Sequence, residues 1–237
     1  MRYHVLDTET VGLKPFEHGG GVCELSVRVI DEDCNELAHY HSLLDPEGPI
    51  SATAAGIHGI RDRDVVDFPT MVEYLNIVLD QNPWDQDQDG ISFIAHNAVF
   101  DWKFMAPYIE CPARLVDTLA LARRYYPEAE NHKLTTLAVL LDLEVFDAHN
   151  AHGAAADTAV LLAFLRKLSE DTGLSLEELC VDAQRKDPIE KMPFGKHKGR
   201  TLKDMAKNER SYLRWCLDKM DALQPDVREA IEHALAA

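Results

Sequence analysis

Two acids one residue apart, Asp7 and Glu9, stand at the end of the first apolar stretch, Met1 to Gly12. Tyr3, Val5, Asp7 and Glu9 alternate with His4, Leu6 and Thr8. In a strand every second side chain shares a face, so the two carboxylates point the same way. Apolar residues on both faces suit a central strand covered on each side. Neighbouring carboxylates there repel each other and lose hydration, and a hard divalent cation relieves both costs. The alternative is a strand ending at a polar rim with both acids in water.

A second anomaly lies at 153–169, the strongest helical pattern in the chain. Leu161, Phe164, Leu165 and Leu168 form its apolar stripe, and Asp157 falls on that stripe. An inward carboxylate is destabilising by several kcal/mol unless it is paired, hydrogen-bonded or metal-bound. Backbone amides of the first helical turn are one solution, a metal the other. His152 lies five residues earlier, too far for the same face, and belongs to the loop leading in. Asp101 raises the same choice at the start of another helix, as a capping acid or as a third carboxylate at the end of a sheet.

The elements that must position these groups follow from pattern. Residues 22–31 and 37–45 read as strands joined by a polar turn, giving an antiparallel meander with the first. Ser51 caps a short helix over 52–58, and Pro69 opens a helix over 70–80. Residues 91–96 and 115–116 read as further strands. Helices follow over 117–126, 133–141 and 153–169. Strands first, then strands alternating with helices, predict an α/β domain with a mixed sheet. Asp85, Asp87, Asp89 and Gly90 imitate half a calcium loop, but its twelfth position is His96 instead of the required Glu. The 84–90 segment is read as a solvated acidic loop.

The bulk composition bounds the partners. With 237 residues, 46% hydrophobic and 27% charged, the chain can hold one sizeable core and a small second module. Five scattered cysteines without a Cys-x-x-Cys pair argue against a disulfide framework or a cysteine zinc site, and for a reducing cytoplasm. No signal peptide or membrane-spanning run is visible. The net charge of −17 opposes a polyanionic partner, yet residues 191–214 hold 8 basic and 2 acidic residues.

Asp7-Thr8-Glu9-Thr10, Asn97-Ala98 to Asp101, and His152 to Asp157 arrive in a fixed order. Together they resemble the three motifs of the DEDDh family of 3′→5′ exonucleases, with His152 marking the h subtype. Ile57-His58-Gly59-Ile60 is similar to the segment after the third strand in that family. The resemblance implies an RNase H-like five-stranded mixed sheet flanked by helices over 1–183. It assigns Asp7, Glu9, Asp101 and Asp157 as ligands of two Mg2+ ions, for which Mn2+ substitutes. His152 becomes the general base, and nucleoside 5′-monophosphates the products. Thr10, Leu13, His58, Asn97 and Phe100 fall near the terminal nucleotide.

The tail extends the match. Met192 to Met205, with Tyr212-Leu-Arg-Trp-Cys216, is similar to the exodeoxyribonuclease X-like C-terminal module. This gives a linker at 184–190 and a small basic module at 191–237, with Lys196, Lys198, Arg200 and Lys203 available to phosphates. Phe-Gly-Lys-His-Lys-Gly lacks the spacing of a nucleotide-binding P-loop. The helical Tyr-Leu-x-Trp spacing places Trp215 in a small core, with base stacking as the alternative. The expected partner is DNA with a 3′ end, without a membrane; a homodimer is compatible. RNA trimming, or a non-catalytic DNA-binding subunit, remain the other readings.

Overall fold

Strand β1 (Tyr3–Thr10) forms where the sequence alternates, and its two faces enter two different cores. Tyr3 and Val5 join one cluster, with Ile94, Val116, Leu161, Phe164 and Leu165. Leu6 joins the other, with Phe93, Phe104 and Met105. A strand buried on both sides belongs in the middle of a sheet. β2 (Val22–Ile30) and β3 (Glu36–Leu43) continue from it as an antiparallel meander. After α1 (Ala52–His58), α2 (Asp62–Val65) and α3 (Met71–Val78), the chain returns as β4 (Ile91–Ala95), parallel to β1. α4 (Ala98–Met105) leads to β5 (Ala113–Asp117), parallel to β4. The sheet order is β3-β2-β1-β4-β5, mixed and five-stranded. The computed structural model describes residues 2–17, 20–78, 90–109, 111, 113–143, 153–185, 189–220, 223 and 225–236.

Helices cover both faces. α5 (Thr118–Tyr125), α6 (Leu134–Leu140), α7 (Ala154–Thr172) and α8 (Leu176–Ala183) supply the core on the Tyr3 side. α3 and α4 supply the Leu6 side. The helix ends obey local chemistry. Ser51 Oγ accepts the Ala54 amide at 3.1 Å, Asp117 caps α5 through Leu119, and α7 stops at Gly173 in a left-handed conformation. Helix α8 is absent from the periodicity reading, although Ser175 and Glu178 form a capping box in front of it. Its Glu177 accepts two hydrogen bonds from Arg114, at 2.6 and 2.8 Å, and one from the Tyr3 hydroxyl at 3.0 Å.

The chain divides into two compact units, residues 1–184 and 185–237. The second is built by α9 (Leu202–Asn208), α10 (Arg210–Lys219) and α11 (Pro225–Ala236) around Met192, Leu202, Met205, Leu213, Cys216, Val227 and Ile231. Trp215 departs from the core reading: it is 49% exposed. The buried face of α10 is set by Leu213 and Cys216, and Tyr212 lies at its margin, so a residue three after Tyr212 also falls outside. Among the described residues, no helix is long and apolar enough to cross a membrane.

Candidate active site

β1 outruns its neighbour. Its pairing with β4 covers only Tyr3 to Val5, so the later β1 residues have no β4 partner on that edge. Asp101, on the first turn of α4, fills part of the gap. Its Oδ1 accepts the Thr8 amide at 3.1 Å and the Thr8 hydroxyl at 2.8 Å. Asn97 makes the sharp entry to α4 with φ 72°, a left-handed conformation that Asn tolerates, and its amide donates to Asp117 Oδ1 at 2.8 Å.

Asp7 and Glu9 extend the Tyr3 and Val5 row towards the open end of β1. Asp157, on the first turn of α7, meets them there. One carboxylate oxygen from each of Asp7, Glu9 and Asp157 lies within 4.8 Å of the other two. Asp101 is outside that trio but close enough for its charge to act on Asp7 and Glu9. Burial, then the surrounding carboxylates, pushes the Glu9 carboxyl up to about 8 and Asp7 well above the usual carboxylate range. Burial raises Asp101 to about 7, against the two hydrogen bonds from Thr8. Clustered oxygen donors in surroundings this unfavourable to the anion fit a hard divalent cation.

A fifth carboxylate escaped the reading of the sequence. Glu24 on β2 faces Glu9 across the strand pair and is buried. Its Oε2 accepts the Ala154 amide at 3.1 Å, at the first residue of α7. Its Oε1 is bonded by His41 Nε2 at 2.7 Å. Gly153, with φ 122°, precedes that amide, and a Cβ there would meet Glu24 Oε2 at 2.5 Å. Thr158, one residue after Asp157, is fixed by the Ser26 hydroxyl at 2.8 Å and by Arg28 Nε at 3.1 Å. Thus β2 clamps the start of α7 on both sides of Asp157. An acid inside the apolar run Val22-Cys23-Glu24-Leu25 was the available signal, the same anomaly that exposed Asp157.

The remaining expected residues have different placements. The Thr10 hydroxyl donates to the Gly12 carbonyl at 2.8 Å, and Leu13 is 81% exposed beyond it. His58 is buried. Its Nδ1 accepts the Ile60 amide at 3.1 Å, leaving Nε2 to donate to the Thr10 carbonyl at 3.3 Å. Both ring nitrogens therefore serve the fold at the end of β1. Phe100 is half-buried against Phe104. His152 and the acidic 84–89 stretch lie outside the described residues.

In the second unit, Lys196 and Lys198 are exposed on a turn. Arg200 is not a spare cation. Its guanidinium bonds Asp204 at 2.7 and 3.2 Å and Glu209 at 3.3 Å, because those two acids reach it from α9 and the start of α10.

Comparison with known proteins agrees with this geometry. The family described as Exonuclease matches residues 4–165, and the Exodeoxyribonuclease X-like C-terminal family matches residues 192–221. Exodeoxyribonuclease 10 of Escherichia coli (strain K12) is 29% identical over 234 residues, covering 98% of this chain and 97% of that protein. The solved structure of Exonuclease X in complex with 5′ overhanging duplex DNA superposes with TM-score 0.60 at 25% identity, over 76% of this chain and 99% of that one. Escherichia coli Exonuclease I with a dA16 oligonucleotide, at 15% identity and TM-score 0.57 over 76% of this chain and 42% of that one, shares the fold.

Proposed function

This chain belongs to the exonuclease family, and from that membership we propose that it is a Mg2+-dependent 3′→5′ exodeoxyribonuclease releasing nucleoside 5′-monophosphates from DNA ends. The observation that carries the reading is the trio Asp7, Glu9 and Asp157, with Asp101 held against Thr8 beside it. Likeness over nearly the full length to an exodeoxyribonuclease supports DNA as the substrate. The family resemblance supplies the count of two ions and the direction of digestion.

Asp7, Glu9 and Asp157 gather negative charge that their surroundings disfavour. Asp101 adds a fourth carboxylate from the opposite layer. Two divalent cations, when bound, would neutralise that charge, lower the cost of forming the attacking nucleophile and stabilise the leaving 3′ oxygen. His152, five residues before Asp157, is proposed to take the proton of the attacking water, since an imidazole with an ordinary pKa near ~6.5 is poised for it. Glu24 and Gly153 fix the start of α7 and so the direction of Asp157. Leu13 is proposed to rest against the terminal base, with Thr10, Asn97 and Phe100 around it; His58 supports that loop from beneath. Lys196 and Lys198 are proposed to contact phosphates. The site is proposed to work in the cytoplasm, where free cysteines stay reduced.

The test is a 5′-labelled DNA strand digested with Mg2+ or Mn2+, beside RNA of the same sequence. A ladder shortened from the 3′ end, monophosphate products, faster loss of DNA than RNA and arrest by chelator are expected. Preferential RNA trimming would reassign the substrate, and digestion that persists with chelator would overturn the metal site.

A further inference from the structure

The apolar stripe of α10 is complete without Trp215. Leu213 and Cys216 are buried, and Tyr212, Leu217 and Met220 pack at its margin. Trp215 nevertheless has a fixed orientation. Its ring stacks on Tyr212, with centroids 5.7 Å apart and planes 29° apart. The rings of His197 and Tyr212 meet edge to face with centroids 4.7 Å apart, and the Lys196 ammonium lies 5.2 Å from the Tyr212 centroid. The turn that delivers Lys196 depends on Gly195. Its φ is 69°, and a Cβ there would sit 2.7 Å from the Tyr212 hydroxyl oxygen. An aromatic pair, half open to water, is thus held in place by a cationic turn.

We propose that Trp215 and Tyr212, with Lys196 and Lys198, form a stacking site for the unpaired bases of single-stranded DNA. An aromatic face accepts the π-face of any base, so such a site holds a strand without reading its sequence. Cations on the same turn meet the phosphates that follow each base. The charge pattern fits. Within 191–214 both acids, Asp204 and Glu209, pair with Arg200, and the segment holds no further acid for its seven other cations. A second attachment point on one polymer raises the local concentration of its ends wherever both units can engage the same strand. The proposal rests on the exonuclease reading only in naming DNA as the strand.

The test uses the full chain with Mg2+ and two substrates. One is a thirty-nucleotide oligo-dT. The other is the p-nitrophenyl ester of thymidine 5′-monophosphate, which offers a scissile phosphodiester and no second base. Trp215→Ala is expected to raise KM for oligo-dT about 10-fold, with kcat and ester hydrolysis unchanged. Trp215→Phe keeps a stacking ring and is expected to keep KM, while the share of tryptophan quenching by oligo-dT that Trp215 supplies, beside Trp84 and Trp102, disappears. Lys196→Ala with Lys198→Ala is expected to raise KM mainly at low salt. An unchanged KM in Trp215→Ala, or quenching undiminished in Trp215→Phe, would overturn the stacking site and leave this face to another occupant. If the wild-type chain hydrolyses neither substrate, the exonuclease reading fails, while reduced quenching in Trp215→Phe still supports the stacking site.

Discussion

The acidic pocket at the end of β1 and the basic turn of the second unit handle charge in opposite ways. In the pocket, like charges from residues 7, 9, 101 and 157 are brought together and partly buried, against their own repulsion. On the turn, cations stand in water a few residues apart, and the two nearby acids are drawn off to Arg200. The first arrangement needs the whole sheet to hold it and a cation to relieve it. The second needs a glycine and a few neighbouring residues. Substitutions should therefore separate the two cleanly: those in the pocket abolish turnover and spare DNA affinity, and those on the turn do the reverse.

The largest effect is expected at the trio. Asp7→Ala or Asp157→Ala should bring hydrolysis of labelled DNA below detection, with Kd for single-stranded DNA unchanged in filter binding. Wild-type-like turnover in either variant would remove the metal assignment, and loss of DNA affinity would erase the division of labour.

Next comes Glu24. Replacing it with Gln keeps an acceptor for the Ala154 amide while altering its charge and its pairing with His41; Ala removes the acceptor altogether. We expect Glu24→Ala to lower kcat by about 10- to 100-fold, the range typical of groups that orient metal ligands. It should also weaken Mn2+ binding by calorimetry, with Glu24→Gln recovering most of both. A loss confined to melting temperature, with kcat intact, would make Glu24 a stability residue alone.

A pH effect on stability should separate the units further. Glu9 and Asp101, ordinarily 4.5 and 3.8, are raised to about 8 and about 7, with burial the largest cause. A carboxyl raised in the fold keeps a proton that the unfolded chain has given up, so what the pocket adds to the stability of the metal-free protein is largest below ~4 and is lost as the pH climbs through ~8. Its melting temperature should fall across that window, and Mn2+ should restore it most at the upper end. A metal-free melting temperature that rises from pH ~5 to ~8 would contradict the crowding of the pocket.

The smallest effect belongs to the turn. Lys196→Ala and Lys198→Ala should each reduce the slope of log Kd against log salt by about 1 or less, without changing cleavage of a small ester. Arg200→Ala should instead lower the stability of the second unit slightly, as loss of an exposed ion pair does. A full unit of salt slope lost at Arg200 would return it to the phosphate contacts.

The same contrast explains what could be read from the chain. The strands around Asp7 were legible because alternation and apolar runs are local signals. Asp157 was legible as an acid on an apolar stripe. Glu24 carries the same local signal, an acid in an apolar run, but its role is hidden because its partner, the Ala154 amide, is 130 residues away and belongs to the backbone. Arg200 was read as free because its basic neighbours hid the acids four and nine residues on. Trp215 was assigned to a core by spacing that fixed its helix but not which side faced inward.

Asp101 carries a consequence beyond the reaction. By occupying the Thr8 amide, it stands where a neighbouring strand would otherwise dock. An uncovered run of amides on an apolar strand is a template for another polypeptide and a route to aggregation. Removing this carboxylate would both silence the enzyme and unguard the molecule, whereas Asp101→Asn keeps an oxygen for that amide and should leave a soluble, inactive protein.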